Sequence, residues 1–136
     1  MSATQNLTYS IVQVVHNLGA VAAVGGSFAA VKSRSASTKK NVAWIALAGW
    51  VTQGASGAAL GAVSFYFYGR FPDISGVALY ALLLKMACAA TGFVLMVAYL
   101  YRADEWPVKR IDWVCLASLA LAVSAISAAA FLRWFS

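Results

Sequence analysis

Four apolar stretches, over about 8–31, 42–68, 77–101 and 111–135, dominate the chain. Each is longer than the roughly 20 residues a helix needs to cross the hydrocarbon of a bilayer. They use up nearly all of the sequence, so no soluble domain is left to carry separate chemistry. The composition agrees. Hydrophobic residues make up 62% of the 136 and charged ones 10%, against about half and about a quarter in a soluble domain. The connections KSRSASTKKN, GRFPDISG and RADEWPVKR are short and polar, and short links make sequential neighbours antiparallel. The sequence therefore predicts an all-α integral membrane protein: one domain over 1–136, an antiparallel four-helix transmembrane bundle. The opening MSATQNLTYS has no Lys or Arg, so it lacks the basic region of a cleaved signal peptide, and the first stretch is expected to be retained as a span.

The formal net charge is +6. Lys32, Arg34, Lys39 and Lys40 fall around the first connection, and Arg102, Lys109 and Arg110 around the third. The opposite side holds only Arg70 and Arg133. By the positive-inside rule both termini lie outside and the two basic loops face the cytoplasm, here of a bacterial inner membrane. The positive charge then belongs against anionic lipid rather than nucleic acid. Aromatic residues at the span ends (Phe65 to Tyr68, Tyr99, Tyr101, Trp106, Trp113, Trp134 and Phe135) read as interfacial belts. Gly19, Ala23, Gly26 and Ala30 share a face of the first span, as do Gly49, Gly57 and Gly61, with Gln53 in register, on the second. Such rows let helices approach closely, within the bundle or onto a partner. Cys88 and Cys115 read as small packing residues.

Polar side chains within the spans are where function is sought, because a charge at mid-helix costs about 2.5 to 3.5 kcal/mol on insertion scales. They are Gln13, His16, Asn17, Gln53 and Lys85. Gln13, His16 and Asn17 follow an i, i+3, i+4 spacing that places them on one side of a helix. His16 and Lys85 both fall roughly 12–14 Å below the outer boundary, so an inward-facing polar cluster in the outer half of the bundle is expected. All four acids (Asp73, Asp104, Glu105 and Asp112) lie in loops or at span ends. Lys85 is then a neutral amine, is bound by oxygens such as those of Gln53 or Asn17, or meets a haem propionate, a quinone oxygen, a lipid phosphate or a partner subunit. His16, the one histidine, is either a neutral ring hydrogen-bonded across helices, for example to Gln53, or a metal ligand. Met86 lies at a similar depth but about 100° around the helix from Lys85. There is no hydrolase pairing, phosphate-binding glycine loop or carboxylate pair, and no catalytic activity of the chain on its own is expected.

The residues His16, Leu18 and Ala20 followed by Gly25 and Gly26 form the pattern H-x-L-x-A-x4-G-G. This resembles the first helix of CopD-like copper-resistance membrane domains and related small four-helix inner-membrane proteins. The resemblance covers about twelve residues. It implies an inner-membrane bundle in a family linked to copper handling, with His16 as the metal contact.

Two functional classes follow. In the first, His16 ligates haem b or copper, Lys85 neutralises an anionic group, and Gln13, Asn17 and Gln53 support them, in metal handling or membrane electron transfer. In the second, the chain is a non-catalytic accessory subunit, a homo-oligomer or part of a larger membrane complex, with the glycine faces packed on partners. A small-solute carrier is a third and weaker reading.

Overall fold

The structure is a computed structural model, and residues 2–135 are described. They form four helices: α1 Ala3–Lys32, α2 Ala36–Tyr68, α3 Gly76–Arg102 and α4 Val108–Phe135. No strand occurs among the described residues. The helices run further than the apolar pattern alone suggests, because capping residues lie in the polar flanks. The Ser2 side chain accepts a hydrogen bond from the Gln5 N–H at 3.2 Å, so α1 starts at Ala3 rather than near 8. The Ser35 hydroxyl does the same for Thr38 at 3.5 Å, which carries α2 back to Ala36 and leaves only 33–35 as a link. Such caps satisfy the orphan N–H groups of a first turn. At its far end α2 stops at Gly69, whose φ of 66° is left-handed. Its N–H donates to the Phe65 carbonyl at 2.8 Å, a termination that favours glycine.

Three helices, α1, α3 and α4, are long and apolar enough to cross a membrane, with mean hydropathies of 1.6, 2.0 and 2.2. α2 is not among them. Its middle holds Gly49, Trp50, Thr52, Gln53, Gly54, Ser56 and Gly57, which lower its hydropathy. Several of these, Gly49, Trp50, Gln53 and Ser56, are buried. The helix that falls short of the other three in hydropathy supplies many of the polar and close-packing contacts.

The distribution of side chains is the inverse of a water-soluble bundle. Ala23, Ala30, Ala43, Ala46, Ser27 and Ser118 are buried, while Leu18, Val21, Trp44, Val94 and Phe131 point outward. Without a hydrophobic drive between helices in lipid, small residues and interhelical hydrogen bonds hold the interior. Large apolar side chains are then left on the outer surface, the arrangement expected of a bundle suited to lipid. Cys88 and Cys115 are free and buried in this interior.

α1 packs most extensively on α2, and α3 on α4; the α1–α4 and α2–α3 contacts close the ring. Along the α1–α2 seam, Gly19 abuts Thr52, Ala23 abuts Gly49 and Gly26 abuts Ala46. At Gly26 and Gly49 a Cβ would collide with the facing backbone. Trp50 ties the two helix pairs together. Its indole lies against Gly92, where a Cβ would strike the ring. Its Nε1–H donates to the Ser118 hydroxyl at 3.1 Å, and Ser118 bonds Ser27 at 2.8 Å. At the basic end Lys39, largely buried, pairs with Asp112, and Lys40 lies 3.7 Å from Asp104. Tyr99 differs from the belt expected of it: it is only 2% exposed and belongs to the central core.

Candidate ligand-binding cavity

The α2–α3 side of the ring is less tightly closed than the α1–α2 side, and a half-open cavity of about 900 Å³ lies there. Its walls are almost wholly apolar, with Val51, Leu60, Leu82, Met86 and Phe93 among them. Gly54, Gly57 and Gly61 also line it. A Cβ on Gly54 would meet nothing within 4 Å, and one on Gly57 would only reach His16 Cε1 at 3.9 Å. This half of the glycine row on α2 is therefore open, whereas Gly49 is locked against α1.

Two polar side chains from different helices meet at the cavity. Lys85 Nζ lies 2.7 Å from His16 Nε2, and His16 Nδ1 lies 2.7 Å from the Ser56 hydroxyl. The direction of this chain is fixed by proton counting. Ser56 donates its one hydroxyl hydrogen to the Thr52 carbonyl, so it can only accept from His16. His16 then carries its proton on Nδ1, and its Nε2 lone pair accepts an N–H from Lys85. Every polar atom of the ring is used. Gln53, also buried, donates its amide to the His16 backbone carbonyl. It clamps α1 to α2 beneath the ring rather than bonding the ring itself.

Of the five polar residues singled out from sequence, His16, Gln53 and Lys85 are brought together at the cavity. Gln13 and Asn17 are not. Both are exposed, and Gln13 donates to Asn17 at 2.9 Å. The inward cluster expected of the i, i+3, i+4 spacing therefore splits. Positions 13 and 17 lie about 60° and 100° around the helix from 16, and with His16 aimed between α2 and α3 they are carried outward, where their amides satisfy each other. Ser56 was not anticipated. Its signal was present: it lies three residues after Gln53, on the same face of α2. Trp50, also on the cavity wall, was equally legible as an indole in the middle of an apolar stretch.

The same geometry bears on the metal expectation. With Ser56 on Nδ1 and Lys85 on Nε2, His16 has no lone pair to offer copper or haem iron in this arrangement. Among the described residues no group of three His, Cys, Asp or Glu side chains converges.

No protein-family model, no curated protein and no solved structure matches the chain.

Proposed function

We propose that the chain is a small multi-pass protein of a bacterial inner membrane, and that its α2–α3 cavity takes up a lipid-soluble small molecule through the bilayer. In this reading the four helices span as an antiparallel bundle with both termini outside, α2 crossing with its small and polar residues sheltered by α1, α3 and α4. The reading is carried by one observation: a lysine, deep within an apolar helix and without a carboxylate near it, lines a mostly apolar cavity of about 900 Å³ beside His16 and Gln53. An intramembrane ionisable group is by default a candidate ligand or ion site. The apolar walls would hold the body of the molecule, and the Lys85–His16 pair its polar end.

Native mass spectrometry of the detergent-purified protein tests this. One lipid-soluble molecule per chain is expected, lost when Gly57→Trp fills the cavity. A chain that binds nothing, with or without that substitution, would sink the reading. A haem-binding alternative is favoured by the imidazole on the cavity wall, but it requires Lys85 to leave Nε2. A reduced-minus-oxidised visible spectrum separates the two: a haem band abolished by His16→Ala would make the pocket a redox site.

A further inference from the structure

The hydrogen-bond polarity of the cavity narrows the ligand class, building on the binding reading above. His16 has spent its Nδ1 proton on Ser56 and its Nε2 lone pair on Lys85. Gln53 has spent an amide hydrogen on the His16 carbonyl. What the His16–Lys85 pair still presents, with Lys85 as an ammonium ion, is the remaining N–H hydrogens of Lys85, which are donors only. The head of a ligand seated there must therefore accept hydrogen bonds.

Charge decides between acceptors. The acids of the chain lie at Asp73, Asp104, Glu105 and Asp112. Two of them are already engaged at the basic end, Asp112 with Lys39 and Asp104 with Lys40. None reaches Lys85. A neutral acceptor, such as a quinone carbonyl or an alcohol, would leave an ammonium group uncompensated in hydrocarbon. A phosphomonoester would replace one surplus charge by another, and a lipid phosphodiester, although it carries a single charge, brings two acyl chains and a bulky headgroup with it. A single carboxylate balances the cation and forms a charge-assisted hydrogen bond with it. The rest of the wall is apolar, since Leu60, Leu82, Met86 and Phe93 offer no polar partner, and a cavity of about 900 Å³ suits one hydrocarbon chain better than a whole two-chain lipid. We infer that the ligand is a single-chain amphiphile with a carboxylate head, the fatty-acid class. Its carboxylate sits on Lys85 Nζ and its chain lies along the α2–α3 cleft. His16, held by Ser56, positions the Lys85 amine and is not itself a contact of the carboxylate.

The test is a head-group series on the intact protein by native mass spectrometry, using palmitate, hexadecanol and decylubiquinone. Palmitate is expected to bind one per chain and about tenfold or more tighter than hexadecanol, in line with a charge-assisted pair. Lys85→Met should remove that preference, weakening palmitate far more than hexadecanol. Lys85→Arg, which keeps the charge, should retain most of it and guards against a folding defect. Equal binding of the three probes, or palmitate binding indifferent to Lys85→Met, would overturn the carboxylate inference and leave the lipid-soluble ligand reading standing. Binding of none of the three, with no co-purifying molecule, would overturn both.

Discussion

Ser56 has a single hydroxyl proton, and the Thr52 carbonyl takes it. That sets the tautomer of His16, a buried ring that hydrogen bonds tie to α2 on one side and α3 on the other. In ¹⁵N spectra, Nδ1 is expected to show as the protonated nitrogen and Nε2 as the acceptor; a ring protonated at Nε2 would reverse the direction of the whole chain. Ser56→Ala strands the Nδ1–H without a partner. Such a loss costs about 1 to 3 kcal/mol, readable as a lower thermal midpoint together with a mixed tautomer. Gln13 and Asn17 make the contrasting case. They bond only each other, so replacing both by leucine is expected to leave the His16 spectrum unchanged, whereas a shifted imidazole would return them to the site. Trp50 has a heavier role: its indole links α2 to Ser118 and covers Gly92. Ser118→Ala should cost about 1 kcal/mol, the scale of interhelical hydrogen bonds in membrane bundles.

At the scale of the element, the glycines of α2 fall into two functional halves. A Cβ on Gly49 would run into the Ala23 backbone, while one on Gly54 would meet nothing. Gly49→Ala is therefore expected to prise α1 from α2 and lower stability by about 1 to 3 kcal/mol, the usual range of overpacking. Gly54→Ala should be neutral or slightly stabilising, since alanine is the better helix former. Thermal unfolding of the two variants side by side checks this, and equal losses would mean that the α2–α3 face is closed. The helices and the two rows of small residues were legible in the sequence because hydropathy and small-residue spacing are local properties, but that the rows meet as the α1–α2 seam was not. The split of the glycine row was not, since Gly49, Gly57 and Gly61 share one spacing and only the partner helix distinguishes them. The same limit applies to the polar cluster. Spacing put Gln13, His16 and Asn17 on one side of α1, but the direction in which that side faced depended on where α2 and α3 pack.

For the molecule as a whole, the interior of small residues and the outward large apolar ones fit a chain dissolved in lipid, and charge then sets its direction across the bilayer. Lys32, Arg34, Lys39, Lys40, Arg102, Lys109 and Arg110 lie at the end of the ring where α1 meets α2 and α3 meets α4. Pairing with Asp112 and Asp104 offsets two of these cations but leaves the excess on that side, and acidic residues count little in setting topology. The proposed orientation puts Ser37 in the cytoplasm and Asp73 outside. Both are exposed, while Cys88 is 4% exposed and Cys115 fully buried, so a cysteine introduced at either position should report above a low native background. An impermeant maleimide applied to intact cells is expected to label Asp73→Cys and to reach Ser37→Cys only after the membrane is opened. Labelling in the opposite order would invert the bundle. It would also place Lys85 and the mouth of its cavity in the inner rather than the outer leaflet, changing the pool of amphiphiles from which a ligand is drawn.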